Sequence, residues 1–268
     1  MNNNAESVLR SPEQQADDIL RSLHGRQLVV LLDYDGTLSP IAPRPEDAVL
    51  PEAMRTVLNE LSKRWSTAVI SGRALADVRD MVGVDDIVYA GNHGLEIEGP
   101  PGTGISRSLG ESYVHDVAQA SAELQSALES VDGALVEDKR FSLSVHYRLV
   151  AATDICRVEA AVDTAIERHP RLKKRHGKKV FELRPDLDWD KGRAVTWLLE
   201  VVNQREIETL PIYVGDDDTD EDAFLALETA GISVLVSEED RPTAATHRLR
   251  DTDGVGRFLA RLAGGEAA

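Results

Sequence analysis

Five short apolar runs, 28–32, 68–70, 87–90, 212–214 and, broken only by Ser233, 232–236, constrain what this chain can fold into. Such a run, flanked by polar residues, suits a strand covered on both faces. The segments between them have helical spacing. After Pro51, a residue suited to a helix start, Met54, Val57, Leu58 and Leu61 recur every three or four positions. Similar spacing marks 75–81, 194–202 and 221–227. Strand alternating with helix predicts an α/β fold with a Rossmann-like parallel sheet.

The middle of the chain departs from this pattern. The Pro/Gly-rich stretch from Gly99 to Gly104 reads as a hinge or linker. A polar helix is expected at 111–130, and 141–148 alternates apolar and polar residues like a strand with one open face. A helix at 154–168 and a second strand at 179–183 complete a small α+β unit. The expected organisation is a core of residues 25–105 and 186–265 interrupted by an insert, 106–185. The first 20 residues and the tail 263–268 read as frayed ends.

The chain has 268 residues, enough for one large domain or a core with an insertion, and a formal charge of −17. That charge favours solubility and argues against a nucleic-acid or anionic-membrane partner. Cys156 is the single cysteine, so no intramolecular disulfide is expected, which suits a reducing cytoplasm. The amino terminus lacks the apolar core of a signal peptide, and no stretch is long and apolar enough for a bilayer. A monomer is expected.

In open parallel sheets, ligands sit beyond the carboxyl ends of the strands. The chemically loaded residues fall at such ends: Asp33-Tyr34-Asp35-Gly36-Thr37, Ser71-Gly72-Arg73, Lys191-Gly192 at a helix start, and Gly215-Asp216-Asp217. A carboxylate attacking a phosphate dianion meets like-charge repulsion, which Mg²⁺ held by Asp33, Asp216 and, as a further candidate, Asp217 would relieve. Ser71 and Lys191 could donate to phosphoryl oxygens. Asp35, two residues from Asp33 on the same side of extended backbone, could protonate a leaving sugar oxygen and then accept a proton from water. Each motif alone has an ordinary structural reading, as a turn, a loop, a solvated lysine or an acidic helix cap. Those readings leave unexplained why four sites at strand ends carry the required residue types in this order.

This ordered set resembles the haloacid dehalogenase superfamily of phosphatases. More narrowly, it is similar to the trehalose-6-phosphate phosphatases in Ser71-Gly72-Arg73, Gly91-Asn92-His93-Gly94, Glu137-Asp138-Lys139 followed by 142–148, Glu182-Leu183-Arg184-Pro185, Lys191-Gly192 and the acidic run 215–222. The resemblance implies Mg²⁺ bound with help from the Asp35 main-chain carbonyl, a nucleophilic Asp33 and an acid/base Asp35. It also implies a cap that closes over the sugar of trehalose 6-phosphate, releasing trehalose and phosphate. By the same resemblance Glu137, Lys139, Lys178 and Glu182 are sugar-binding candidates, with Arg184 beside them. Glu and Lys suit this role because sugar hydroxyls want both acceptors and donors. The alternative from the residues alone is a Lys139–Glu182 ion pair within the cap. Arg73 is expected to reach phosphate or pair with an acid. His93, in a Gly-flanked loop, is expected to face the cleft, and His146 to pack or hydrogen-bond; neither has metal-ligand spacing.

The segment 168–179 is strongly basic within an acidic chain. It reads either as a solvated turn or as a patch that steers an anionic substrate; no aromatic residues interleave as in single-strand nucleic-acid binding. Rival readings remain distinct. A receiver domain has its acidic pair first and its acceptor Asp later. A glycosidase needs no Ser71 and Lys191 aimed at phosphate. A non-catalytic sugar-phosphate sensor predicts loss of Asp33, Asp35, Lys191 or Asp216, and all are present. Another sugar phosphate, of the sucrose-phosphate or mannosyl-glycerate type, is the alternative substrate.

Overall fold

The computed structural model describes residues 10–203 and 208–264. The apolar runs form β1 (Gln27–Leu32), β2 (Ser66–Ile70), β3 (Val88–Gly91), β10 (Thr209–Gly215) and β11 (Ile232–Val236), with β12 (His247–Leu249) added at one edge. They pair in parallel in the order β12-β11-β10-β1-β2-β3. Two short antiparallel strands, β4 (Glu96–Glu98) and β5 (Ser106–Ser108), extend the other edge.

Both faces of this sheet are covered, which is why its strands are apolar throughout. On one face Leu28, Val30 and Leu32 pack with α1 (Pro12–Arg21), α2 (Glu52–Arg64), α3 (Leu75–Val82) and α8 (Thr252–Ala263). On the other, Val29 and Leu31 pack with α6 (Lys191–Asn203) and α7 (Asp218–Ala226). The two-residue side-chain period of a strand sorts β1 between the two layers.

A second sheet, in the order β6-β7-β9-β8, is wholly antiparallel: β6 (Leu135–Asp138), β7 (Leu143–His146), β8 (Leu172–Gly177) and β9 (Val180–Pro185). Its apolar face, Leu143, Val145, Phe181 and Leu183, packs on α4 (Val114–Leu128) and α5 (Ile155–Arg168). Its opposite face carries Glu137, Ser144, His146 and Glu182 toward the carboxyl ends of the first sheet.

Several sequence expectations need correction. The amino terminus is ordered helix from Pro12: Ser11 and Gln14 form a capping box, Ala16 and Ile19 are buried, and Arg261 pairs with Asp17. Its few apolar residues, on one face, made it read as polar tail. Residues 1–9 and 265–268 lie outside the described residues. The Gly99–Gly104 stretch is the tip of the β4–β5 hairpin rather than a linker, so core pairing continues through Ser108. Half of the basic segment, 172–177, is strand rather than turn. Leu172 packs inward while Lys173 pairs with Asp186, Lys174 with Glu159 and Asp163, and Arg171 with Asp116. An edge strand with ion-paired lysines at consecutive positions, one on each face, shows no hydrophobic period to read. Among the described residues, no helix is long and apolar enough to cross a membrane.

Candidate active site

The first cluster forms where β1, β10 and α6 end or begin. Asp33 follows β1, its N–H donating to the carbonyl of Val214 at 2.9 Å. Lys191, the first residue of α6, places Nζ 2.7 Å from Asp33 Oδ1 and 2.6 Å from Asp220 Oδ1. Asp220 is fully buried; it also accepts from the Tyr213 hydroxyl at 2.7 Å and from the N–H groups of Asp216 and Asp217, both at 2.9 Å. Carboxylate oxygens of Asp33, Asp216 and Asp220 lie within 4.8 Å of one another. Gly36 has φ +82°, and a Cβ there would strike the Asp216 carboxylate, so the turn after Asp35 needs glycine on both counts.

Three buried carboxylates this close repel. Burial, with Asp220 and Asp216 nearby, pushes Asp33 well above the usual carboxylate range despite Lys191. Burial likewise raises Asp216 to about 6, against the pull of Lys178, whose Nζ lies 2.5 Å from its Oδ2. Clustered hard oxygen donors of this kind suit an octahedral or larger divalent cation, so the site fits a metal on its own chemistry.

Arg73 grips Asp35 through two hydrogen bonds, Nε to Oδ2 at 2.8 Å and a terminal nitrogen to Oδ1 at 2.7 Å, while lying over the Tyr34 ring. The bidentate fork fixes both partners. Ser71 is buried, and its hydroxyl accepts from the Arg73 N–H at 3.1 Å. Asn92 and His93 both have left-handed backbone, with φ +49° and +56°. The Asn92 side chain donates to Glu96 and to the carbonyl of Lys139 and accepts from Ser142. That strained corner ties the first sheet to the β6–β7 turn.

Opposite lies the polar face of the second sheet. Glu182 is held by Arg184, whose Nε donates at 2.8 Å, by His93 at 3.4 Å and by Lys139 at 3.7 Å. Burial would raise the Glu182 carboxyl, but Arg184, the His93 hydrogen bond and Lys139 hold it well below the usual range. Burial, reinforced by Arg184, pushes His93 down to about 3, so it is a neutral donor. Lys139 Nζ also donates to the Gly72 carbonyl at 2.9 Å, and His93 fills the space a Cβ on Gly72 would need. Glu137 pairs with His146 at 2.8 Å. The predicted Lys139–Glu182 ion pair is therefore present, and both partners line the cleft.

The two faces enclose a cleft of about 180 Å³. Asp33, Asp35, Arg73, His93, Glu137, Lys139, Lys178, Glu182, Lys191, Asp216 and Asp217 all line it. Ser71 and Arg184 do not; they support Arg73 and Glu182. Arg44 and Arg148 also line it, so six cations face six carboxylates. A chain of net charge −17 thus presents a locally balanced cleft. Of the basic segment, only Lys178 reaches it.

The trehalose-phosphatase family model matches residues 31–253, spanning every residue just described. The chain belongs to the trehalose-phosphatase family. It is 42% identical over 263 residues to an uncharacterized glycosyl hydrolase of Mycobacterium tuberculosis, covering 96% of this chain but 20% of that protein. The chain thus spans about a fifth of that relative's length. It is 38% identical over 260 residues to trehalose-phosphate phosphatase B of Arabidopsis thaliana, covering 92% of this chain and 69% of that one. In three dimensions it matches the C-terminal domain of Candida albicans trehalose-6-phosphate phosphatase with a TM-score of 0.80, covering 96% of this chain and 98% of that one at 22% identity. The fold is α/β of the haloacid dehalogenase type.

Sequence reading gave Asp220 only a capping role at the start of α7. It does accept from the Asp217 N–H there, and it is also the fully buried acid beside Lys191. The i to i+4 spacing from Asp216 across a helix start was the available signal. Asp217 instead caps α7, its side chain accepting from the Asp218 N–H, and lies outside the three-carboxylate cluster. Asn92 and Ser144 lie inside segments that carried the resemblance, 91–94 and 142–148, but neither was singled out, because small polar residues in loops and strands are common.

Proposed function

We propose that this trehalose-phosphatase hydrolyses trehalose 6-phosphate to trehalose and phosphate through an aspartyl-phosphate on Asp33. What supports this reading above all is the convergence of Asp33, Lys191 and Asp216 with Glu137, Lys139 and Glu182 on one cleft. The cation would be Mg²⁺, held by Asp33 and Asp216 with the Asp35 main-chain carbonyl, while Asp220 orients Lys191. When bound, it screens the nucleophile from the phosphate dianion.

Asp33 attacks phosphorus as the bond to the sugar oxygen breaks. Asp35 gives its proton to that oxygen, since a sugar alkoxide is a poor leaving group. Water then attacks the acyl phosphate, Asp35 takes its proton, and phosphate leaves Asp33 as carboxylate. Lys191 holds Asp33 in line and receives charge on the phosphoryl oxygens, while Ser71 supports the Arg73 main chain behind them. Arg73 must loosen its fork on Asp35 before that carboxyl can carry a proton, so substrate is expected to draw the guanidinium away. Glu137, Lys139, Lys178 and Glu182, with Arg184 behind, engage the sugar. The inserted unit around the second sheet acts as a cap. A cleft of about 180 Å³ is small beside the ~300–1,000 Å³ of ordinary ligand sites, so substrate entry requires the cap to swing open.

Release of inorganic phosphate across a panel of sugar phosphates, with Mg²⁺ and with chelator, tests the reading. Trehalose 6-phosphate should be preferred and chelator should stop turnover. Asp33→Asn should abolish turnover of every ester; retained activity would remove Asp33 as nucleophile.

A further inference from the structure

We propose that Ser144 is a sugar-binding, specificity-determining residue that donates to or accepts from one hydroxyl of the disaccharide. The inference rests on the trehalose 6-phosphate reading and adds a residue to it. Ser144 sits at the centre of β7, directly opposite Glu137 on β6 and Glu182 on β9. Strand pairing therefore sets these three side chains in one row across the polar face of the second sheet. The residue is 1% exposed, and its Oγ is buried without a hydrogen-bond partner among the described residues. It nevertheless lines the cleft.

Each neighbour in the row is committed within the protein. Glu137 is bonded to His146, and Glu182 to Arg184, His93 and Lys139. The serine hydroxyl alone has a donor and two acceptor sites unused. Leaving a buried polar group unpaired is unfavourable, and the free enzyme carries that cost at the floor of its cleft. A ligand hydroxyl arriving between the two glutamates relieves it. A substrate lacking that hydroxyl leaves the serine unpaired, which is how such a site discriminates. The short side chain also keeps the floor of the row low, so a sugar ring can sit between its carboxylates.

The test compares wild type with Ser144→Ala on trehalose 6-phosphate, on an aryl phosphate, and on trehalose 6-phosphates each lacking one hydroxyl of the distal ring or the phosphorylated ring. Ser144→Ala should lower the ratio of kcat/KM for trehalose 6-phosphate to that for the aryl ester about tenfold, mainly through KM. At one hydroxyl position, deletion should cost wild type about tenfold and the variant nothing further, a coupling that marks direct contact. Because the substitution removes an unpaired polar atom, the melting temperature of the free enzyme should hold or rise. A residue that only supports the sheet, or satisfies itself with a trapped water, would lower the melting temperature without changing selectivity. Ser144→Gly supplies a second variant lacking the hydroxyl. Losses that are additive at every hydroxyl position, with selectivity kept, overturn the inference while leaving the function intact. Wild type that cleaves the aryl ester but not trehalose 6-phosphate overturns both.

Discussion

Replacing Lys191 by Met tests the electrostatic core of the site apart from its chemistry. Lys191 is 3% exposed and its ammonium bridges two buried carboxylates, Asp33 and Asp220, at 2.7 and 2.6 Å. Methionine keeps most of the volume and removes the charge, leaving Asp33, Asp216 and Asp220 to repel one another. Breaking a buried ion pair by deleting one partner costs about 3–5 kcal/mol. At roughly 2–4 °C per kcal/mol for a domain of this size class, metal-free Lys191→Met should melt about 6–20 °C below wild type. Calorimetry in chelator measures it. Lys63→Met is the control, because Lys63 pairs with Glu60 on the exposed face of α2 and such pairs contribute about 0–1 kcal/mol. Magnesium should raise the melting temperature of Lys191→Met more than that of wild type, since it meets a site with one fewer cation. Turnover should fall about a hundred- to a thousandfold. If Lys191→Met melts no lower than Lys63→Met, the buried acid cluster does not depend on this lysine and the reasoning fails.

Three further outcomes follow from the same geometry. Lys139→Ala should impair trehalose 6-phosphate turnover at least tenfold more than aryl phosphate turnover, because Lys139 sits among Glu137, Glu182 and the Gly72 carbonyl; equal losses would take Lys139 out of sugar recognition. Neutralising Arg171, Lys173 and Lys174 together should leave the salt dependence of kcat/KM within about twofold, since each is paired away from the cleft, whereas Lys178→Met should flatten it. Glu182 ionises more readily folded than unfolded, so its contribution to stability is full above about pH 4.5 and is lost as pH falls through the lowered folded value; Glu182→Gln should reduce the acid-induced loss of melting temperature below pH 4.5.

The parallel sheet was legible because burial on both faces writes itself as apolar runs; Leu28 to Leu32 could be nothing else so cheaply. Four of the helices packed on it, α2, α3, α6 and α7, were legible from the same apolar periodicity. What escaped reading lacks a hydrophobic signature. β8 is basic because Lys174 pairs with acids on α5 and Lys173 with Asp186 just past β9, and the buried residues of α1 are only Gln15, Ala16 and Ile19. In the site, Asp33, Asp35, Lys191 and Asp216 were found from their order along the chain, while Glu137, Lys139, Lys178 and Glu182 were found only through the family resemblance. Asp220 and Ser144 were not, because their importance lies in what surrounds them: one acid among several in a run, and one serine made unusual by an empty hydrogen-bond shell.

An acidic chain acting on a phosphate ester would have to receive an anionic substrate, and the division of the cleft suits that task. On the core side, Asp33, Asp35, Asp216 and Asp217 outnumber Arg44, Arg73 and Lys191, and buried Asp220 adds to the deficit. On the cap side, Lys139, Arg148 and Lys178 outnumber Glu137 and Glu182. With the cap open, the core presents an anionic cluster that favours a divalent cation over a phosphate. A divalent cation held there would cancel that deficit. Cap closure would then bring Lys178 and Lys139 onto the site, where low dielectric strengthens every interaction they make. The charge that the global field withholds from an anionic substrate would thus come in two instalments, from the metal and from the cap.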